Sequence, residues 1–217
     1  MATLDLRDYQ IDAIERIRDK LAEKFRRVLI VAPCGSGKTI VAAEIIRLAV
    51  ARGSRVLFLA HRRELIDQTS AKLRAIDLEH GIILADRPIA PQHPGQVASV
   101  QTLIRRRLPE ADLVIVDEAH HVCPKNTYGR LLSQYAGATI LGLTATPWRL
   151  DRIGLSDSFD SHVIVRLPHE LLADNWLVPL VGHRYRPIDT SNLHVDHGEF
   201  RASELSGRAR QEGLLGD

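Results

Sequence analysis

The chain has few of the residues that build disulfide-stabilised or membrane-spanning proteins. Its 217 residues include two cysteines, one methionine and 5% aromatic residues. Two isolated cysteines, Cys34 and Cys123, do not make a disulfide framework, and we expect them to be reduced thiols. No apolar run is long enough to cross a bilayer, and the N-terminus lacks the pattern of a signal peptide. We therefore expect a soluble cytoplasmic protein with no membrane partner.

An excess of either charge is also missing. The formal net charge is +2, from 29 basic and 27 acidic residues, and so it does not by itself indicate nucleic-acid binding. Basic residues are nevertheless clustered at Arg62-Arg63 and at Arg105 to Arg107. Such clusters either neutralise phosphates or form solvated helix ends.

A glycine-containing loop follows the apolar run Val28 to Val31 and precedes a helical stretch. A loop of this kind directs backbone N–H groups and a helix N-terminus towards an anion. Its first position is Ala32, where the common pattern has glycine, and the bland alternative is a glycine-rich turn. We expect the loop to bind the phosphates of ATP through Pro33, Cys34, Gly35, Ser36, Gly37, Lys38 and Thr39.

A second apolar run, Leu113 to Val116, ends in two carboxylates, Asp117 and Glu118. Taken alone, the pair is consistent with a surface acidic pair. Together with the loop it predicts a nucleotide site, because phosphoryl transfer requires positioning and charge neutralisation. We expect Lys38 to pair with the β and γ phosphates and Glu118 to polarise the attacking water. Mg²⁺ is the expected metal, held by the Thr39 hydroxyl and the Asp117 carboxylate.

Apolar runs alternate with amphipathic segments along residues 7 to 144. Fully apolar strands predict a mainly parallel sheet covered on both faces, and the alternation predicts a doubly wound α/β fold. Ligands of such folds bind at the carboxyl ends of the strands, where Thr39, Asp117 and Thr144 would meet. We predict helices at 7–24, 37–51 and 63–74, and strands at 28–31, 55–60, 82–84, 96–99, 113–117 and 139–144.

Several segments occur in the order of the motifs of superfamily 2 helicases. Asp117 to His120 resembles motif II, and Leu6 to Gln10 resembles the Q-motif. Leu59 to Leu65 resembles motif Ia, Ser99 to Leu103 the next nucleic-acid-contacting motif, and Thr144 to Pro147 motif III. The resemblance implies that the chain contains a RecA-like P-loop NTPase domain.

The resemblance also implies individual roles. Gln10, with Tyr9, would recognise adenine, and Arg7 would also contact the cofactor. His120 would join Lys38, Asp117 and Glu118 in the catalytic site and transmit the nucleotide state. Thr144, Ala145 and Thr146 would couple that site to nucleic acid. The expected nucleic-acid contacts are His61, Arg62, Arg63, Ser99, Gln101 and Thr102.

The region after motif III resembles the connecting segment of RadD-type bacterial and phage DNA helicases, from Trp176 to Leu205. We therefore predict a RecA-like domain over residues 1–150 and a short C-terminal connecting appendage over 151–217. DNA, with single-stranded character, and a second RecA-like domain are the expected partners. Two such domains need roughly twice this length. Motifs IV to VI have no counterpart here, so we expect slow or no ATP turnover by this chain alone.

Two other functions are weighed against an ATP-dependent helicase. One is an ATP-switched module that binds nucleic acid or a partner without motor activity. The other is a small P-loop kinase, but we find no phosphate-acceptor pocket in place of Thr144 to Thr146. A zinc site at Cys123, His120 and His121 is not expected, because the spacing matches no structural zinc pattern.

The sequence after Pro147 carries weaker signals. We predict a loop at 151–161, strands at 162–166 and 178–186, and loose or extended structure from Ile188. Leu177 and Val178 are expected to pack on the core. Trp148 could stack on a nucleic-acid base, but a lone tryptophan after a turn is more often a core residue.

Overall fold

A parallel sheet forms the centre of the molecule. The computed structural model describes residues 4–87, 90–149, 154–179, 189–196 and 199–211. Seven strands of the described residues join in the order β3-β4-β2-β5-β6-β1-β7, and every neighbouring pair is parallel. The strands are β1 Arg27–Val31, β2 Val56–Ala60, β3 His80–Ile83, β4 Gly95–Ser99, β5 Leu113–Val116, β6 Thr139–Thr144 and β7 Ser161–Ile164.

Helices connect the strands and cover the sheet. No described helix has the length and apolar character needed to span a membrane. A short 3₁₀ helix, Ala119–His121, follows β5, and a separate two-stranded antiparallel ribbon is made of β8 Val195–Asp196 and β9 Glu199–Phe200. The helices are α1 Asp8–Ala22, α2 Lys38–Ala51, α3 Arg63–Ala75, α4 Val100–Leu103, α5 Thr127–Ser133, α6 Pro168–Ala173 and α7 Ala202–Gln211.

The sheet is buried on both faces, which confirms the doubly wound α/β fold. In β2, Phe58 packs with buried residues of α1, α2 and α3, whereas Leu57 and Leu59 pack with those of α4 and α5. All five residues of β2 are buried. Because successive side chains of a strand point to opposite faces, an uninterrupted apolar strand suits a sheet between two helical layers.

The sheet continues beyond residue 150. Strand β7 pairs in parallel with β1, from Val28 beside Ser161 to Val31 beside Ile164. The strand predicted at 162–166 is therefore present, displaced by one or two residues at its ends. It completes the sheet of the first domain, although it lies in the range that the sequence assigns to the connecting appendage.

Several expectations about the C-terminal region were wrong. Trp148 is 54% exposed and Val178 is 81% exposed, so neither is a core residue. Trp148 forms an isolated antiparallel bridge with Gly154 at the surface, and its neighbour Arg149 is buried instead. Leu177 does pack against the core, as expected. Val178 and Pro179 lie in no strand, and the rest of the strand predicted at 178–186 lies outside the described residues.

Helix α7 was also not expected, because loose or extended structure was predicted from Ile188 onward. Its sequence is polar and contains Gly207, so it lacks a strong apolar stripe. Local polar contacts hold it against the preceding segment. A carboxylate oxygen of Glu204 accepts a hydrogen bond from the backbone N–H of His194 at 2.8 Å, and Arg208 pairs with Asp189 at 3.2 Å.

Candidate nucleotide and nucleic-acid site

The carboxyl ends of three adjacent strands gather the predicted nucleotide residues. Strand β6 lies between β1 and β5, so the loop after β1, Asp117 after β5 and Thr144 at the end of β6 lie side by side. Backbone hydrogen bonds join the ends of neighbouring strands. The N–H of Ala32 donates to the carbonyl of Thr144 at 2.9 Å, and the N–H of Asp117 donates to the carbonyl of Leu59 at 2.8 Å. The predicted assembly of these segments at one sheet edge is therefore seen in the structure.

The loop from Pro33 to Gly37 has the geometry of a phosphate-binding loop. Gly35 and Gly37 adopt φ angles of 80° and 88°, which L side chains rarely tolerate. Gly37 is the N-cap of α2, so the positive end of the helix dipole lies at the loop, and no acidic residue in the first turn offsets it. The Lys38 amino group donates to the carbonyls of Ala32 and Pro33 at 3.2 and 3.4 Å. These are bonds that phosphate oxygens can replace.

The two carboxylates after β5 have different environments. Asp117 is 7% exposed, and burial, followed by repulsion from Glu118, raises its pKa to about 6, against an opposing effect of Lys38. Glu118 has a left-handed φ of 50°, and its backbone N–H donates to the Asp117 carboxylate at 3.0 Å. A strained non-glycine residue held at a candidate catalytic position is typical of functional sites.

The residues present fit a magnesium–nucleotide complex. Among the described residues, no group of three or more His, Cys, Asp or Glu side chains is placed to hold a metal ion. Mg²⁺ usually takes one or two protein carboxylates and completes its shell with phosphate oxygens and water. A buried carboxylate of raised pKa, with Thr39 in the first turn of α2, suits a metal that arrives with a nucleotide.

His120 connects the carboxylates to motif III. Its Nδ1 lies 3.2 Å from Glu118 Oε2 and 3.2 Å from Thr144 Oγ1. The Thr144 hydroxyl already donates to the carbonyl of Thr146 at 2.8 Å and accepts from the Thr146 N–H at 3.1 Å. Both oxygen atoms near Nδ1, Glu118 Oε2 and Thr144 Oγ1, can therefore accept a hydrogen bond. This favours the tautomer with the proton on Nδ1.

The Q-motif segment is bonded to the phosphate loop. Gln10 is 1% exposed: its Nε2 donates to the Ser36 carbonyl at 3.0 Å, and its Oε1 accepts from the Arg7 N–H at 3.0 Å. Tyr9 donates to the same Ser36 carbonyl at 2.9 Å, and Arg7 donates to the Tyr9 hydroxyl at 2.9 Å. A Cβ at Gly37 would collide with the Gln10 amide. Recognition of adenine by Gln10 stays a prediction.

The predicted nucleic-acid residues follow two adjacent strands. Strands β2 and β4 pair with Ala60 beside Ser99, so the segments 61–63 and 99–102 begin side by side. Ser99 is buried and caps α4, accepting from the Thr102 N–H at 3.4 Å and donating to Gln101 at 2.9 Å. Its role here is to shape the turn, whereas the side chain of Gln101 is exposed.

The basic side chains after β2 are also exposed. Arg62 is the N-cap residue of α3, and its Nε donates to His61 Nε2 at 3.1 Å. Arg63 pairs with Asp86 at 2.7 Å, but both side chains are about half exposed, so the pair holds the arginine only weakly. Phosphates can therefore compete for both arginines.

The sequence did not reveal the role of Arg149. Its guanidinium is buried and donates to the carbonyls of Val122 and Gly154 at 2.8 and 2.9 Å, and it also bonds to Ser158 at 3.1 Å and pairs with Asp157. This side chain ties the segment after motif II to the segment after motif III. The sequence signal, an arginine two residues after Pro147, is too short to be specific.

Comparison with known proteins identifies the family. Residues 3–149 match the model of the type III restriction enzyme res subunit. The chain is 33% identical to the putative ATP-dependent helicase IRC3 of Saccharomyces cerevisiae over 93% of this chain and 32% of that protein. It is 31% identical to the DNA 3'-5' translocase XPB2 of Sulfurisphaera tokodaii over 68% of this chain and 32% of that protein.

A solved structure shares the fold. The Sulfolobus solfataricus SWI2/SNF2 ATPase core in complex with dsDNA superposes with a TM-score of 0.56 at 17% identity, over 66% of this chain and 32% of that one. The chain thus spans about a third of the length of the curated relatives that it matches. It belongs to the family of the type III restriction enzyme res subunit, and it contains the first RecA-like domain of a superfamily 2 helicase.

Proposed function

We propose that this chain is the ATP-binding and DNA-binding N-terminal motor domain of an ATP-dependent helicase or translocase. The observation that carries the proposal is the placement of two predicted sites on one sheet edge, with His61 of one site in ring contact with His121, whose ring in turn contacts that of His120 in the other site. The relatives named as an ATP-dependent helicase and as a DNA translocase support the same function.

In this proposal, the residues of the chain divide the work of ATP hydrolysis. Lys38 exchanges its two backbone carbonyl partners for phosphate oxygens, and the N-terminus of α2 adds backbone donors. Thr39 and Asp117 would hold Mg²⁺, which neutralises developing charge on the phosphates when bound. Glu118 accepts a hydrogen bond from the attacking water and orients it. His120, between Glu118 and Thr144, reports changes at this carboxylate to motif III.

The proposal includes a second RecA-like domain, in the same chain or in another. Motifs IV to VI, with the arginine fingers that stabilise transition-state charge, are not found after Pro147 in this sequence. Curated relatives about three times as long are consistent with a further domain. Because arginine fingers contribute roughly 10³- to 10⁵-fold to turnover in P-loop enzymes, we expect the chain alone to hydrolyse ATP slowly.

DNA is the proposed nucleic acid. The resemblance to RadD-type DNA helicases and the likeness to a DNA translocase favour DNA over RNA. Arg62, exposed at the N-cap of α3, and the neighbouring Arg63 present positive charge that phosphates can pair with, so we propose binding that depends on salt and little on sequence.

ATPase assays of the chain, with and without single-stranded DNA, test the proposal. We expect little turnover in both cases, together with nucleotide binding that Lys38→Ala removes and DNA binding that Arg62→Ala weakens. DNA-stimulated turnover that is lost in Glu118→Gln would show a complete motor site and would contradict the need for a second domain. If a supplied second domain never restores turnover to the nucleotide-bound chain, the ATP-switched module becomes the better description.

A further inference from the structure

A turn that follows β7 and α6 lies against the nucleotide site. Helix α6 ends at Ala173, and Asn175, two residues further on, has a left-handed φ of 58°. The backbone N–H groups of Trp176 and Leu177 both donate to the carbonyl of Leu171, at 2.8 and 3.1 Å. Leu171 is fully buried in the core, so these bonds fix the two residues after the turn relative to the sheet. The matching family model ends at residue 149 and does not include this turn.

Trp176 and Leu177 contact both nucleotide-binding segments. The guanidinium carbon of Arg7 lies 4.3 Å from the centroid of the Trp176 ring, and the ring of Tyr9 lies 6.2 Å away at an angle of 63°. Leu177 approaches the phosphate loop so closely that a Cβ at Gly35 would lie 2.8 Å from its Cδ2. The turn therefore forms a wall beside the loop and the Q-motif segment.

The planar guanidinium of Arg7 is held against this wall by two contacts. One of its nitrogens donates to the Tyr9 hydroxyl, and one face of the guanidinium rests on the indole. Arg7 makes no ion pair with a carboxylate of the part of the chain that the structure describes. An arginine stacks readily on planar aromatic groups because its guanidinium is planar and weakly hydrated. A further ring would stack on the face of the guanidinium opposite the indole.

The amide of Gln10 is less available for the base. It is buried, and its oxygen and its nitrogen each already make one hydrogen bond within the protein. Contact with a bound purine thus depends first on partly exposed groups, and the planar ones are the Arg7 guanidinium and the Trp176 indole.

We propose that Trp176 is a positioning residue of the nucleotide site, which holds the Arg7 guanidinium as a platform on which the purine base of the nucleotide stacks. The inference rests on the proposed binding of ATP. It assigns the segment after β7 a role in base recognition. It predicts that this segment contributes to binding of the base and not to binding of the phosphates. Stacking gains with ring area, so purine nucleotides should bind better than pyrimidine nucleotides.

Equilibrium binding of two probes separates the base from the phosphates. The probes are ATP and inorganic tripolyphosphate, each with Mg²⁺, and the proteins are wild type, Trp176→Ala, Trp176→Phe and Trp148→Ala. We expect Trp176→Ala to weaken ATP binding by about tenfold and tripolyphosphate binding by less than about twofold. Trp176→Phe should keep most of the affinity, because a phenyl ring also stacks. Trp148→Ala is the matched control at the other exposed tryptophan and should change neither affinity.

A double-mutant cycle identifies the residue through which Trp176 acts. In an Arg7→Ala background, Trp176→Ala should cause no further loss of ATP affinity, because the platform is already absent. Full additivity of the two losses would overturn the assignment. Equal losses for ATP and tripolyphosphate would also overturn it, because they would indicate general disruption of the site. Tighter ATP binding by Trp176→Ala would overturn it too, because it would show that the indole blocks the base.

Intrinsic fluorescence gives an independent readout, because the chain contains two tryptophans. Trp148→Phe leaves Trp176 as the sole indole, and its emission should change on addition of ATP but not of tripolyphosphate. Unchanged emission while ATP binds would contradict this inference but not the proposed binding of ATP. Failure of the wild-type chain to bind either probe would reject the proposed function and, with it, this inference.

Discussion

The imidazole rings of His61 and His121 meet edge to face, with centroids 4.8 Å apart and planes at 68°. His61 directly follows β2 and precedes the two exposed arginines, whereas His121 ends the short helix after Glu118. The ring of His120 lies 4.2 Å from that of His121, and its Nδ1 reaches Thr144. A contiguous series of rings therefore joins the two candidate sites, and it offers a physical route for coupling between them.

We predict that His121→Ala weakens the coupling between the nucleotide and DNA sites. Coupling is reciprocal, so it can be measured as the ratio of DNA affinities with and without a non-hydrolysable ATP analogue. We expect this ratio to approach one in the variant, while the affinity for each ligand alone changes by less than about threefold. His162→Ala, an exposed histidine on β7, is the control. A coupling ratio equal to that of wild type would exclude the ring contact as the route.

Asp117→Asn should stabilise the fold at alkaline pH in the absence of Mg²⁺. The folded-state pKa of Asp117 is raised from 3.8 to about 6, mainly by burial. A raised pKa means that the protonated carboxyl stabilises the fold at low pH, and that this contribution is lost as the pH rises through 6. We expect the variant to gain about 1–3 kcal/mol of unfolding free energy at pH 8 and much less at pH 4.

Urea unfolding at the two pH values checks this prediction. Asp19→Asn, at an exposed position on α1, is the control and should show no such gain. Equal stability of wild type and Asp117→Asn at pH 8 would mean that the buried charge of Asp117 does not destabilise the fold.

His80 should make the fold acid-sensitive. Burial lowers its pKa below 6.5, its Nδ1 lies 2.9 Å from the Leu78 carbonyl, and its Nε2 lies 2.7 Å from the Ser70 hydroxyl. A lowered pKa of a histidine means that the neutral ring stabilises the fold above pH 6.5, and that this contribution is lost as the pH falls through the folded-state pKa. His80→Gln should destabilise the protein near pH 7.5 by about 1 kcal/mol.

The difference between His80→Gln and wild type should shrink towards pH 5, where wild type has lost the contribution of the neutral ring. Thermal unfolding across this range measures it, with His162→Gln as the exposed control. A difference that does not vary with pH would show that His80 does not titrate in this range.

Arg149→Met should lower stability by about 2–4 kcal/mol, since it removes a buried guanidinium that makes several hydrogen bonds. The groups that lose their donor are the carbonyls of Val122 and Gly154 and the hydroxyl of Ser158. Arg55→Met removes ion pairs with Glu110 and Asp112 at exposed positions, so its effect on urea unfolding should be much smaller. Similar losses for the two variants would show that Arg149 does not act as a buried tie.

The sequence predicted the features that depend on local pattern. Uninterrupted apolar runs gave β1, β2, β5 and β6, and the glycines at 35 and 37 gave the loop with left-handed backbone. In the helix predicted at 7–24, Ile14 and Ile17 are buried, whereas Ile11, which has the same helical apolar spacing, is 44% exposed. Periodicity shows which residues share a helix face, but tertiary packing decides how far the burial extends.

Contacts between distant segments could not be predicted in this way. The stacking of Arg7 on Trp176 and the bonds of Arg149 join parts of the chain that are far apart or irregular, so they leave no periodic trace. Strand β7 was predicted as a strand, but only the folded sheet shows that it pairs with β1. Trp148 is exposed and Arg149 is buried, which is the reverse of what their polarity suggests, because the guanidinium donates to two carbonyl groups.

The most direct test of this account is equilibrium binding of ATP with Mg²⁺ by wild type, Lys38→Ala and the control Lys72→Ala, a lysine exposed on α3. Lys38 Nζ faces the carbonyls of Ala32 and Pro33 at the phosphate loop. We predict saturable binding by wild type and Lys72→Ala, and at least roughly tenfold weaker binding by Lys38→Ala, as expected for loss of a phosphate-pairing charge. Equal binding by all three proteins, or none by wild type, would contradict the nucleotide site on which the account depends.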